Sequence, residues 1–287
     1  LSINGVSMQG KTCRDGLRAL DGPDQSTVIM QVMRDGQVKD ITLTRTSEEV
    51  PNVTTDMVEG RFAHIQVKSF MNDNTSKKIE EAILANPQAE GYILDLRNNG
   101  GGLLDQAMTS ASVFIGEGKV LNIKSRLPSD PTVPRYENNV YSVGKDAITL
   151  SVNGAEPKVY ATRHPDSVHK PVVVLVDQGT ASAAEILAGA LKDTDGAYVI
   201  GTPTFGKGIG QTIFPDGFAG GATKITTFRY YTPSGLWPGD GHDSRIGLQP
   251  NLIVNNPTAA QFNTSSDGQI NVAATYLRAR IEAGRRH

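Results

Sequence analysis

Pro171-Val172-Val173-Val174-Leu175-Val176 is an unbroken apolar strand, and it leads through the small-residue turn Gly179-Thr180-Ala181-Ser182 into a helix from Ala183 to Leu191. A further strand, Ala197 to Ile200, follows. The same alternation extends towards the N-terminus. Phe62 to Ser69 reads as a strand, and Asn72 to Leu84 as an amphipathic helix with Ile79, Ile83 and Leu84 on its apolar side. Gly91 to Leu96 reads as a buried strand and Leu103 to Ile115 as a second helix. Strand and helix taking turns from residue 60 onward is the pattern of an α/β layer fold.

Gly118 to Ile123 reads as another strand. Residues 126–169 are rich in Pro, Asp and Ser around a hairpin: Ala147 to Val152, the Asn153-Gly154 turn, then Lys158 to Ala161. A β-rich stretch, Thr223 to Tyr231, precedes the turn Thr232-Pro233-Ser234-Gly235, and Asn271 to Glu282 closes the chain as a helix. Residues 60–287 are therefore expected to form one core with a hairpin insertion near 130–170. Residues 1–46 read as strand (Leu1 to Ile3), short helix (Lys11 to Leu20, stopped by Gly22-Pro23) and a hairpin, Val28 to Met33 with Asp40 to Thr44. The polar stretch 47–59, which contains Pro51, reads as a linker. The chain begins in mid-strand at Leu1-Ser2-Ile3-Asn4-Gly5 with no initiator Met, signal peptide or transit peptide, so any address tag is expected outside it.

The 287 residues are enough for one large domain and a smaller one. With 38% apolar and 20% charged residues the composition is that of a globular protein, and a net charge of −2 gives no electrostatic footprint for nucleic acid or anionic membrane. No apolar run approaches the roughly 18 residues that span a bilayer. The single cysteine, Cys13, excludes an internal disulfide and reads as a small semi-buried apolar residue.

Ser182 stands on a strand-to-helix turn, and Phe205-Gly206-Lys207-Gly208 follows later with Gln211 close behind. A serine hydroxyl is a weak nucleophile and needs a base within hydrogen-bond reach. Lysine can be that base only when neutral, which burial away from carboxylates favours. Together the two suit hydrolytic acyl transfer without histidine. If Thr204 to Thr212 is a strand, Lys207 and Gln211 face the same side, and the Gln211 amide oxygen could orient the amine. The oxyanion of acyl transfer needs preorganised donors. The Ala183 amide, at the start of a helix, is one candidate, and the turn Asn98-Asn99-Gly100-Gly101-Gly102 can offer another.

Each feature has a plainer reading. A serine before a helix is commonly an N-cap, a Gly-Lys-Gly lysine a solvated surface residue, and a glycine triplet a strand-to-helix turn or phosphate cradle. The triplet is not a Walker loop, since no Gly-Lys-Ser/Thr follows, and G-x-G-x-x-G is absent after Leu96. His64, His164, His169, His242 and His287 show no metal-ligand spacing, so no cofactor or metal is expected. No G-x-S-x-G elbow supports a Ser-His-Asp triad, and Asp193 reads as a helix-end carboxylate.

Five stretches carry a resemblance. They are Leu94-Asp95-Leu96-Arg97-Asn98-Asn99-Gly100-Gly101-Gly102-Leu103-Leu104, the run from Gly179 to Asp193, Thr204-Phe205-Gly206-Lys207-Gly208, Tyr230-Tyr231-Thr232-Pro233-Ser234-Gly235 and Gly247-Leu248-Gln249-Pro250. In order and spacing they resemble the carboxyl-terminal processing (tail-specific) proteases over most of residues 60–254. The resemblance implies a serine endopeptidase with a crotonase/ClpP-like α/β core. It maps the nucleophile onto Ser182, the base onto Lys207, the orienting group onto Gln211, and the oxyanion donors onto Ala183 and Gly101. Residues 1–46 resemble the C-terminal half of a PDZ domain, through Ile3-Asn4-Gly5-Val6 and the hairpin Val28 to Thr44; in the family that domain binds substrate tails.

The implied partners are protein substrates with exposed apolar C-terminal tails, with an adaptor protein or self-association left open. The implied location is extracytoplasmic: periplasm, cell envelope or thylakoid lumen. Three departures from the family pattern stand out: Gly100 in place of proline, Ala184 in place of a second serine, and Asn251 in place of aspartate. The rival readings are a non-catalytic relative that holds peptides or apolar ligands and an acyl-CoA enzyme of the wider crotonase class.

Overall fold

The computed structural model describes residues 1–46, 51–127, 135–164, 170–215, 222–239 and 245–285. The chain divides into two units, Leu1–Pro51 and Asn52–His287. In the first, β1 (Ser2–Ile3), β2 (Val6–Ser7), α1 (Cys13–Leu20), β3 (Thr27–Arg34) and β4 (Gln37–Thr44) form an antiparallel sheet in the order β2-β1-β3-β4 with one helix. Asp35 and Gly36 both take positive φ between β3 and β4, the two-residue turn whose twist matches that of the strands. Thr12 caps α1 reciprocally with Asp15, and Cys13, expected to be semi-buried, is exposed.

The second unit runs β5 (Val53–Val58), β6 (Phe62–Val67), α2 (Thr75–Leu84), β7 (Gly91–Asp95), α3 (Leu104–Phe114), β8 (Gly118–Leu127), β9 (Arg135–Val143), β10 (Ala147–Val152) and β11 (Lys158–Thr162). It continues with β12 (Val172–Val176), α4 (Ala183–Ala190), β13 (Tyr198–Gly201), β14 (Ile209–Pro215), β15 (Ala222–Tyr231), β16 (Leu252–Ile253) and α5 (Gly268–Gly284). One sheet has the order β16-β13-β12-β7-β6-β5 and is parallel except for β5. Val172, Val174 and Val176 of β12 enter the core that α2, α3 and α4 share, while Val173 and Leu175 meet Ile270, Ala273, Ala274 and Leu277 of α5. Both faces of β12 are covered, which is why the run tolerates no polar residue. The other sheet, β11-β10-β9-β8-β15-β14, is antiparallel throughout, and Val120, Leu121 and Ile123 of β8 join the helical side of the core.

Two expectations change, and one gains a setting. Of the supposed linker 47–59, Val53–Val58 is an edge strand paired along its length with β6, and 47–50 lie outside the described residues. The hairpin near 130–170 is present as β10 and β11, and with β9 it forms a meander continuing the sheet from β8. Thr204 to Thr212 is not one strand either, because pairing starts only at Ile209, past Lys207.

Candidate active site

β7 and β12 are neighbours and parallel, so the loops leaving their C-terminal ends meet, at the place where open α/β sheets commonly hold ligands. Asp177 Oδ1 accepts the N–H groups of Asn98 and Gly179, both at 2.9 Å. The Thr180 hydroxyl donates to the Leu96 carbonyl at 2.8 Å, and the Ala181 N–H to the Asn99 carbonyl at 2.9 Å. Asn99 is fully buried and donates from Nδ2 to the Val67 carbonyl at 2.7 Å, tying the glycine turn to β6.

Ser182 occupies the N-cap of α4 with φ 57° and ψ −119°. For a residue with a Cβ that region costs about 1–3 kcal/mol and is held only where the surroundings over-determine it. The Ser182 N–H donates to Glu185 Oε2 at 2.9 Å. From the other side comes Gly101, at φ +92°, where an added Cβ would lie 2.7 Å from the Ala181 oxygen and 2.8 Å from Ser182 Cβ. Only glycine lets the two turns approach this closely. Among the described residues the Ala183 N–H has no acceptor, as the first amides of a helix are left by its geometry. The Gly101 N–H, by contrast, is engaged by Asn99 Oδ1 at 2.9 Å.

Glu185 organises the centre. Its side chain is fully buried and accepts five hydrogen bonds: from the Thr204 hydroxyl (2.6 Å), the N–H groups of Gly206 (2.7 Å), Ser182 (2.9 Å) and Lys207 (3.0 Å), and the Tyr230 phenol (2.8 Å). One carboxylate therefore fixes the backbone of both the serine turn and the lysine turn. Burial, with Glu185 alongside, pushes the Tyr230 phenol well above its ordinary range. Gly208 takes φ +59° with its carbonyl held by Trp237 Nε1 at 2.7 Å, so the lysine segment threads tightly between β15 and the loop after it.

Lys207 itself is half-buried. Desolvation and the like charge of Lys224 lower its pKa, and the opposing pull of Glu185 is the smaller effect. A carboxylate does stand close by, against expectation, but it is satisfied by five donors. In this conformation no hydrogen bond joins the Ser182 hydroxyl to the Lys207 amine among the described residues.

Gln211 is exposed on β14, beyond a register shift at Gly210/Gln211, and shares with Lys207 the lining of a cavity of about 770 Å³. Its amide has no partner among the described residues, and Ser182 is not part of that lining. Asp193 accepts the Ser234 N–H at 3.0 Å, anchoring the Thr232-Pro233-Ser234-Gly235 turn and not the serine.

Beneath the glycine turn, Arg97 is buried and donates to both Asp95 oxygens (2.9 and 2.7 Å), to Asp267 (2.9 Å), to Gln269 (3.0 Å) and to Asn263 (3.0 Å). Asp267 is the N-cap of α5, so Arg97 ties that helix to the end of β7. On the far side of Asp95 lies buried His64, with Nε2 3.1 Å from Asp95 and Nδ1 2.9 Å from Asp56. His164 pairs with Glu80 at 3.0 Å; His169, His242 and His287 lie outside the described residues.

Residues 61–254 match peptidase family S41. The chain belongs to that family. Among its curated relatives are the carboxy-terminal-processing protease of Bartonella bacilliformis, 31% identical over 91% of this chain and 54% of its own length, and the carboxy-terminal processing protease CtpA of Bacillus subtilis, 33% identical over 91% and 50%. The chain thus spans about half the length of these S41 relatives. Of solved structures, a photosystem II D1 C-terminal processing protease matches at TM-score 0.56 and 28% identity, over 91% of this chain and 64% of that one. A lipoprotein from Streptococcus agalactiae shares the fold at TM-score 0.56 and 17% identity, over 80% and 70%. The chain has the mixed α/β fold of its S41 family and shares it with these two structures.

Sequence reasoning placed Ser182, Ala183, Gly101 and Lys207 in one neighbourhood, and the structure brings their backbones together. It missed Glu185, Tyr230 and Arg97 as organisers. The available signal was that all three sit inside the quoted motifs, Glu185 as the one charged residue between Gly179 and Leu191.

Proposed function

We propose that the protein is a serine endopeptidase that cleaves polypeptides near their C-termini, with Ser182 as nucleophile and Lys207 as general base. Ser182 Oγ attacks the scissile carbonyl as neutral Lys207 takes its proton. The tetrahedral oxyanion is held by the Ala183 N–H, and its collapse expels the amine, which takes the proton back from Lys207. Water then hydrolyses the acyl-enzyme by the same route in reverse. The observation that carries this reading is the single Glu185 carboxylate bonded to the N–H groups of both Ser182 and Lys207, which couples the positions of nucleophile and base.

Two adjustments belong to the working state: the serine and lysine side chains close to hydrogen-bond distance, and the Asn99 side chain releases the Gly101 N–H as second oxyanion donor. Gln211 acts as orienting group by virtue of its place beside Lys207 in the cavity lining. Residues 1–46 act as a PDZ-like tail-binding unit, the core is crotonase/ClpP-like, and the setting is extracytoplasmic; the family resemblance supports these three. No helix among the described residues is long and apolar enough to cross a membrane.

The test is hydrolysis of an unstructured substrate with an apolar C-terminal tail by the parent chain, Ser182→Ala and Lys207→Gln. Loss in both variants with unchanged melting supports the dyad, and retained hydrolysis in either removes that residue. The unjoined serine and lysine favour one alternative, a non-catalytic peptide-binding relative. That alternative predicts tail binding with no turnover in the parent.

A further inference from the structure

The cavity beside Lys207 is unusual for its charge. Among the described residues its lining includes Lys124 and Arg126 of β8, Arg229 of β15, Arg245 and Lys207, and no carboxylate. Among the described residues none of these cations forms an ion pair. The cluster does not follow from composition, since the chain carries a net charge of −2.

Arg229 and Lys124 are direct cross-strand partners, a like-charge juxtaposition that weakens an antiparallel pair. Arg126, two residues beyond Lys124, faces the same side of β8. Three of the heads rest on aromatic faces that also line the cavity: Lys124 over Tyr136 at 4.7 Å, Arg229 over Trp237 at 4.3 Å and Arg245 over Phe205 at 3.8 Å. A ring face positions a cation without neutralising it. The sheet thus tolerates a cost that an anion in the cavity would relieve.

We propose that this cavity selects peptide substrates bearing Asp or Glu side chains beside the scissile bond, with Lys124, Arg126, Arg229 and Arg245 as the carboxylate-binding groups. The inference rests on the peptidase reading above, because a cavity shared with the base is where chain flanking the cleaved bond would lie. At about 770 Å³ it has room for several side chains, and its aromatic walls suit their aliphatic stems.

The experiment compares pairs of peptides identical in length and free C-terminus, differing only by Glu or Gln at positions flanking the cleaved bond. The Glu peptide should be cleaved with kcat/KM about tenfold higher at low salt, as charge-assisted contacts allow. The advantage should shrink as ionic strength rises. Lys124→Gln with Arg126→Gln should cut the Glu-over-Gln ratio severalfold, the ratio within each protein being the readout. Equal rates for the two peptides, or a Glu preference undiminished by the double substitution, overturn the proposal. So does binding of a short oligonucleotide at this face with no Glu preference. Covalent labelling of Ser182 by a neutral fluorophosphonate separates the two layers. Without labelling the peptidase reading fails, whereas labelling with no Glu preference sinks this inference alone.

Discussion

Glu185→Gln is nearly isosteric and removes one charge, so its effects can be worked from the five donors. A carboxylate offers about four lone-pair sites and no proton, whereas an amide keeps one oxygen and adds two N–H groups. If the amide nitrogen takes the Oε1 position, the Thr204 hydroxyl can turn to accept, but the Gly206 N–H at 2.7 Å faces another donor. If it takes the Oε2 position, the N–H groups of both Ser182 and Lys207 do. Either way at least one buried backbone donor is orphaned and the remaining bonds lose their charge. Allowing for the lifted desolvation of a buried anion, the net loss is about 3 kcal/mol. For a domain of this size that lowers Tm by roughly 6–12 °C.

Activity should fall further than stability, because the turns of Ser182 and Lys207, the proposed nucleophile and base, both lose their shared anchor; misplacement by about 1 Å costs roughly 100-fold. The residual activity should also titrate at lower pH, since Glu185 is the group that holds the Lys207 pKa up. Thermal unfolding and peptide hydrolysis at a temperature where the variant is folded give both readouts. Parent-like melting together with parent-like kcat/KM would refute the assignment of Glu185 as the organiser.

Other perturbations follow from the same geometry. Because desolvation and Lys224 lower the Lys207 pKa, kcat/KM should rise with pH through a midpoint below that of an ordinary lysine, and Lys224→Gln should move that midpoint up; a midpoint indifferent to Lys224 counts against the electrostatic cause. Burial would lower the His64 pKa, but the Asp95 hydrogen bond and charge, with Asp56, outweigh it and leave it raised. The stability His64 confers is then complete below its unfolded pKa, about 6.5, and is lost as pH rises through the higher folded value. Denaturant midpoints of the parent and His64→Gln should accordingly converge on the alkaline side, and a pH-independent gap contradicts this. Gly101→Ala puts a methyl against Ala181 and Ser182 and strains a positive φ. It should slow Ser182 acylation by roughly 100-fold for a Tm loss of a few degrees, and unchanged acylation would mean the two turns are not in the contact described.

How much could be read beforehand depended on where each residue's partners lie. β12 was legible because both its faces are buried, which leaves a pure apolar run. β9 was not: Arg135, Glu137, Asn138 and Asn139 make its sequence polar, and pairing to β8 and β10 holds it in the sheet. β5, with Thr54, Thr55 and Asp56 exposed at the sheet edge, resembled a linker for the same reason. The pleat argument for Lys207 and Gln211 failed because Gly206 and Gly208 both take positive φ, which keeps the lysine out of the strand.

Motifs singled out the serine and lysine turns, whose N–H groups both bond Glu185. What they could not reveal is a carboxylate that reads as an ordinary helix residue until β15 and the lysine turn fold over it. Arg97 and Asp267 are a further case, since a pair 170 residues apart leaves no local signal.

The central claim is that Ser182 is a nucleophile made reactive by Lys207. Its most direct test is fluorophosphonate labelling followed by mapping of the modified residue by mass spectrometry, on the parent and on Lys207→Gln. The account predicts a single adduct on Ser182 in the parent, formed faster as pH rises, and little or none without the lysine. An adduct on another residue, or Ser182 labelled equally well without Lys207, contradicts it.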